Sequence, residues 1–290
     1  MAANKRQKTL SHGRPPSSRP KERMTSERSR AIIRAHHRLQ KDHAAALKRG
    51  DTKAAEELVR EIEKNGGIKT YQAASKQGQA RDRGGDSSKV LINWLQQAQV
   101  IDLATRDRSS TGEAPLRCLE VGALSTQNEI SKFPSIIDMT RIDLNSQGPG
   151  IEKQDFMERP LPTAEDEGFD IISLSLVLNY VPDAIGRGEM LKRITKFLRT
   201  HAGQSNKSTA TLPALFLVLP LPCIDNCRYL NEELLLRILD NLGFTMKYNK
   251  KTSKLCYYLL SWTRKDTFAK TEKKKIRDRP AMNNFCIIVE

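Results

Sequence analysis

The sequence predicts an α/β fold: a mostly parallel sheet wrapped by helices, with a helical extension in front and an antiparallel hairpin closing it. Three features carry this expectation. Between about residues 115 and 265, short runs rich in Ile, Leu and Val alternate with stretches of helical period. The last two such runs follow one another across a Lys-rich turn, which reads as a hairpin. Residues 25–105, by contrast, repeat their apolar positions only at helical spacing.

Residues 1–24 are rich in Lys, Arg, Ser and Pro, and they bury too little surface to offset chain entropy; a disordered basic tail is expected there. A helical extension over 25–114 follows. Ile32, Ile33, Ala35 and Leu39 form an apolar stripe continued by Ala45, Ala46 and Leu47, and Gly50-Asp51 breaks it. Residues 52–64 form a second helix with Ala54, Ala55, Leu58, Val59 and Ile62 inward, ended by Asn65-Gly66-Gly67. A short helix surrounds Tyr71, and a longer one, capped by Asp86 or Ser87, is expected over 89–105. The sheet domain, 115–265, has strands expected at 116–121, 140–144, 151–156, 169–177 and 214–219. Helices are expected at 190–198 and 231–241, and the hairpin at 245–250 and 255–263. Residues 266–290 read as a basic C-terminal tail. The terminal hairpin separates the methyltransferase variant of this architecture from the dinucleotide-binding one. The expected class is therefore the class I S-adenosylmethionine-dependent methyltransferase (Rossmann-like) fold with an N-terminal helical extension.

The formal net charge is +15, and its placement says more than its size. Residues 1–50 carry fourteen Lys/Arg against three Asp/Glu, and residues 264–279 carry eight against three, whereas the middle is close to neutral. Basic ends suit phosphate backbones, since each neutralised phosphate releases a counterion. A membrane surface fits less well, because the tails lack apolar anchors. No apolar run reaches spanning length and the N-terminus has no secretory core, so a soluble intracellular protein is expected. Lys5-Arg6-Gln7-Lys8 has the form of a nuclear address. The five cysteines are odd in number and scattered, which points to a reducing compartment. Cys223 and Cys227 form the one close pair, without the second cluster a structural zinc needs, and no metal is expected.

In such a sheet, ligands bind outside the carboxyl ends of the strands where the strand order reverses. The first strand ends Leu119-Glu120-Val121-Gly122-Ala123-Leu124. One glycine stands where a pyrophosphate cradle would need three, so NAD is disfavoured. S-adenosylmethionine has no phosphate; it needs one glycine for close approach and tolerates a nearby acid, and Glu120 and Gly122 supply both. Asp143 ends the second strand, where a carboxylate accepts bonds from ribose hydroxyls. Asp155 and Phe156 end the third, placed for the adenine amino group and ring. Each acid alone reads equally as a cap or turn residue, but three successive strand ends favour an adenosyl ligand. The loop after the fourth strand carries Asn179 and Tyr180, suited to hydrogen-bond and stack on an extruded base, or, for Tyr180, to pack under the next helix. Methyl transfer to a ring nitrogen mainly requires positioning, so the lack of an evident base does not exclude an enzyme.

Several strings carry a resemblance to a known family: Tyr71-Gln-Ala-Ala-Ser-Lys-Gln-Gly-Gln79, Gly84-Gly-Asp-Ser-Ser-Lys89, Leu119-Glu-Val-Gly-Ala-Leu124, Ile142-Asp-Leu-Asn145, Gln154-Asp-Phe156 and Ser173-Leu-Ser-Leu-Val-Leu-Asn-Tyr-Val-Pro-Asp183. Over about residues 65–265 the chain resembles the fungal nucleolar large-subunit (25S) ribosomal RNA adenine-N1 methyltransferases. The resemblance implies S-adenosylmethionine as donor, N1 of one adenine in that RNA or pre-ribosome as acceptor, and the nucleus, specifically the nucleolus, as location; a monomer is expected. Carried over, Gly122 and Asp143 are the principal cofactor contacts, with Asp155, Phe156 and Ser173 as further ones; the residues' own chemistry adds Glu120 to the cofactor set and makes Asn179 and Tyr180 the catalytic candidates. In this division of labour the helical extension and tails guide RNA while the sheet domain holds donor and base. Animal relatives resemble cofactor sensors acting through a protein partner, which makes a non-catalytic sensor the runner-up and an RNA-binding assembly factor the third reading. The stretch Asn145-Ser-Gln-Gly-Pro-Gly150 is too short for the helix usual after the second strand.

Overall fold

In a computed structural model of the chain, the described residues are 24–78, 85–102, 114–146, 148–164, 167–200 and 211–290. A seven-stranded sheet in the order β3-β2-β1-β4-β5-β7-β6 forms the centre. Its strands are β1 (Leu116–Val121), β2 (Ile137–Asp143), β3 (Glu152–Lys153), β4 (Ile171–Ser175), β5 (Ala214–Pro220), β6 (Phe244–Lys251) and β7 (Leu255–Trp262). β1 to β5 run parallel, and β7 enters antiparallel to both β5 and β6. The closing hairpin and the class I architecture are thus as the sequence predicts.

The central strands read as unbroken apolar runs because both faces are covered. In β5 the period of two sends Leu215, Leu217 and Leu219 into one core and Phe216 and Val218 into the other. The first core is closed by α5 (Ala184–Thr195) and α7 (Glu232–Asn241), with the four-residue α6 (Pro222–Asp225) beside them. The second is closed by α4 (Ser88–Gln97), whose Leu91, Ile92, Trp94 and Leu95 are buried.

In front of the sheet, α1 (Ser26–Lys48), α2 (Thr52–Lys64) and α3 (Gly67–Gly78) pack on one another. Thr25 caps α1 by accepting from Arg28 N at 3.2 Å, and Asp51 caps α2 by accepting from Ala54 N at 3.0 Å.

Several boundaries differ from those predicted. The helix expected over 89–105 stops at Gln97: Gln99 takes a φ of 57°, and Val100 N returns to Leu95 O, which folds Val100 and Ile101 into the core. The rest of that expected helix lies outside the described residues. The third strand shrinks to two residues at the sheet edge, leaving Asp155 and Phe156 in a turn. The helix expected at 190–198 starts at Ala184, capped by Asp183 accepting from Gly186 N at 2.8 Å. Gly186 and Gly188 weaken the local helical signal there. Gly188 answers a packing demand instead: a Cβ would meet Ile288 O at 1.8 Å, because the end of the chain crosses α5.

That crossing gives residues 281–290 a place in the core. Phe285, Cys286, Ile287 and Val289 are buried, Ile288 N donates to Ala184 O, and Arg187 donates to Cys286 O at 2.7 Å with its guanidinium over the Phe285 ring. The basic stretch 264–279 is mostly exposed.

Candidate functional site

β1 lies between β2 and β4, so the strand order reverses at its carboxyl end. There the chain turns at Gly122, with a φ of +75°, and Gly122 N and Ala123 N both donate to Ile142 O. A Cβ at this position would stand 2.5 Å from Val177 Cγ2, so the glycine is required both by conformation and by the close approach of the loop after β4. Beyond it opens a cavity of about 840 Å³. That is within the ~300–1,000 Å³ common for small-molecule sites.

Gly122, Asp143, Asp155, Phe156 and Tyr180 all line this cavity. Asp143 is held in place: its Oδ1 accepts from Gln72 Nε2 and Asn145 N, both at 2.8 Å. Gln72 in turn donates to Asn145 O and accepts from Asn145 Nδ2, so a side chain of α3 clamps the end of β2. Among the described residues, Oδ2 has no hydrogen-bond partner. Burial raises the Asp143 carboxyl above its ordinary range, against the bonds from Asn145 and Gln72. Asp155 accepts from Met157 N at 2.8 Å in a turn, and Phe156 is buried against Phe197.

Glu120 and Ser173 do not line the cavity. They are register partners on β1 and β4 and share the α4 side of the sheet with Cys118 and Ile171. Glu120 accepts from Asn128 Nδ2 at 3.0 and 3.1 Å and stands 3.5 Å from Arg141 Nε. Burial pushes its carboxyl up to about 7, despite Asn128 and Arg141. Ser175, two residues beyond Ser173, reaches the cavity and pairs its hydroxyl with that of Ser87 at 2.9 Å.

The loop after β4 begins with Leu176 at a φ of 58°, a left-handed conformation costly for a leucine, and such strain gathers at functional sites. It delivers Tyr180 to the cavity, while Asn179 is half-buried beside it and outside the lining. Over Tyr180 lies a cluster of rings. His37 of α1 meets Tyr180 edge-on at 4.2 Å, Tyr71 of α3 meets it at 5.1 Å, and His36 stacks on Tyr71 at 4.6 Å. Burial pushes the His37 imidazole down to about 4 and raises the Tyr71 and Tyr180 hydroxyls above their usual values.

The helical extension is therefore part of the site. Ile33, His36, His37 and Gln40 of α1 and Tyr71, Gln72 and Ser75 of α3 form the roof of the cavity. The expected division, in which the helical hairpin and tails guide RNA and the sheet domain holds donor and base, did not include this roof. The reason is long-range packing that no local pattern records, although the quoted string from Tyr71 already contained Tyr71, Gln72 and Ser75. The turn of the β6–β7 hairpin, with Ser253 and Lys254, adds a further part of the rim. Among the described residues, no group of three His, Cys, Asp or Glu side chains could hold a metal ion.

Residues 56–287 match the family described as 25S rRNA (adenine(2142)-N(1))-methyltransferase, Bmt2. The 25S rRNA (adenine(2142)-N(1))-methyltransferase of Saccharomyces cerevisiae is 38% identical over 233 residues, which are 79% of this chain and 62% of that protein. This chain thus spans less than two thirds of the budding yeast relative. The 25S rRNA adenine-N(1) methyltransferase of Schizosaccharomyces pombe is 37% identical over 263 residues, 88% of this chain and 89% of that one. Among solved structures, an O-methyltransferase from neocarzinostatin biosynthesis in complex with S-adenosylmethionine is a distant likeness, with a TM-score of 0.43 at 11% identity over 80% of this chain and 70% of that one. The matched segment runs from α2 across the clamp at Asp143 to the residues that cross α5, and on it the chain belongs to the 25S rRNA (adenine(2142)-N(1))-methyltransferase family.

Proposed function

We propose that the chain transfers a methyl group from S-adenosylmethionine to N1 of one adenine in large-subunit ribosomal RNA. The observation that carries this is the cavity at the reversal point, bounded by a glycine that cannot bear a side chain and by a clamped carboxylate with one oxygen open. Those residues fit an adenosyl sulfonium. Asp143 Oδ2 would accept from the ribose hydroxyls, Gly122 would let the ligand approach the backbone, and Asp155 and Phe156 would hold the adenine end. When bound, the donor supplies a methyl carbon already activated by its sulfonium. The protein's part is then to orient the reactants and keep water out, and the roof of α1 and α3 serves the second task. N1 of a neutral adenine has a free lone pair, so no general base has to be found.

The names of both relatives support ribosomal RNA as the substrate. The basic segments 1–50 and 264–279 supply cations for its phosphates. A nuclear and specifically nucleolar place, and action as a monomer, belong to the same reading. No helix among the described residues is long and apolar enough to cross a membrane.

Ribosomal RNA from cells lacking this chain should lose a reverse-transcription stop in the large subunit. Wild type should restore it and Asp143→Ala should not. A stop that persists without the chain would refute the assignment.

A further inference from the structure

Five buried side-chain nitrogen or oxygen atoms among the described residues find no hydrogen-bond partner: His37 Nε2, Ser75 Oγ, Arg141 Nε, Asn179 Oδ1 and Arg187 Nε. Such orphans are uncommon in folded proteins, and each one asks for an explanation. Three of these five lie at the loop of Tyr180. His37 meets the Tyr180 ring at 4.2 Å, and Asn179 is its neighbour in the chain. Ser75 Oγ is set aside, because it lies within hydrogen-bonding reach of the hydroxyls of Tyr180 and Tyr71. Arg187 is near enough to His37 to act on its charge, and it is fixed from two sides, donating to Pro182 O at 3.3 Å and to Cys286 O at 2.7 Å.

We propose that His37, which lines the cavity, together with Asn179 and Arg187, which lie behind Tyr180 and are reached when a base parts the rings, forms the binding site for the aminated base that accepts the methyl group. This rests on the reading of the chain as an adenine-N1 methyltransferase. Asn179 Oδ1 is an acceptor, a neutral imidazole offers a second acceptor, and Arg187 Nε is a donor. That set complements a heterocycle presenting an exocyclic amino group next to a ring nitrogen, together with a further ring acceptor. Guanine and uracil present a carbonyl where adenine presents its amino group, and would leave the acceptors facing an oxygen. The rings of Tyr71, Tyr180 and His37 now pack on one another, and a base entering between them exchanges ring contacts for ring contacts.

The chemistry balances without a proton acceptor. The N1 lone pair forms the new N–C bond as the C–S bond breaks, its electron pair leaves on sulfur, and the positive charge passes to the purine. That charge spreads onto the exocyclic nitrogen, so acceptors on its N–H groups are stronger in the transition state than before it. His37 and Asn179 are thereby catalytic residues and not merely a docking wall.

The test uses the full chain, a large-subunit ribosomal RNA fragment containing the target adenine, and the same fragment with purine, which lacks the amino group, in its place. On adenine, His37→Phe should lower single-turnover transfer about tenfold, roughly one hydrogen bond's worth. On purine it should lower it no further relative to wild type. Asn179→Ala, outside the cavity lining, should behave alike with S-adenosylhomocysteine affinity unchanged, and thermal unfolding reports folding in both variants. His37→Asn, which restores an acceptor, should recover part of the rate and serves as the comparison if the phenylalanine variant does not fold. Equal loss on both fragments, or none on adenine, overturns the base site while leaving the enzyme standing. A wild-type chain that binds the cofactor and transfers to no adenine overturns the underlying reading, and the base site with it.

Discussion

At Gly122 two independent constraints meet: a positive φ and a space that Val177 already occupies to within contact of a Cβ. An arginine there has to displace the loop after β4 or fill the cavity. Gly122→Arg is expected to abolish cofactor binding in calorimetry while far-ultraviolet dichroism stays native. Undiminished affinity in a folded variant would contradict the placement of the donor. Glu120 makes a different argument, since it serves the sheet and not the cavity. Burial is the largest cause that raises its carboxyl from the ordinary 4.5 to about 7 in the folded chain. A carboxyl raised in this way contributes stability that is full below the unfolded value and is lost as pH rises through about 7. The upper bound of that loss is about 3 kcal/mol, at 1.36 kcal/mol for each unit. Glu120→Gln should therefore raise Tm more at pH 8 than at pH 5. A gain independent of pH would show that ionisation of Glu120 is not what strains the site.

Among the elements, α3 has the most direct consequence. Gln72 joins it to the end of β2 through Asp143 and Asn145, so the helical extension sets the carboxylate that lines the cavity. Gln72→Leu should weaken S-adenosylhomocysteine binding by about tenfold, the order of one or two lost hydrogen bonds. Deletion of residues 1–23 leaves every described residue of the roof in place. It should leave cofactor affinity intact while lowering RNA affinity and flattening its salt dependence, because several phosphate-neutralising cations go with it. Deletion through residue 60 also takes away α1 and should cost both activities. Retention of full cofactor affinity after the longer deletion would show that the roof is dispensable. These elements also show where sequence reasoning reaches its limit. Gly122, Asp143, Asp155 and Phe156 could be found because strand ends are encoded by short apolar runs, and the fold then brings strand ends together. His37 and Gln72 carry no such mark, since a polar residue on an amphipathic helix looks alike whether it faces water or a ligand. The C-terminal crossing was visible in part: Phe285-Cys286-Ile287-Ile288-Val289 is an apolar run, but the charge of 264–279 before it dominated the reading as a tail.

For the molecule as a whole, a neutral middle is framed by basic ends, and α1 and residues 281–290 both pack at or behind the cavity. α1 covers the cavity, and residues 281–290 cross α5 and hold Arg187 behind the loop of Tyr180. The measurement that tests this account most directly is a reaction of the purified chain with labelled S-adenosylmethionine and unmodified large-subunit ribosomal RNA, with the product mapped by reverse-transcription arrest. The account predicts label in N1-methyladenosine at a single site. Cofactor binding without transfer, on naked RNA and on pre-ribosomes alike, would contradict it.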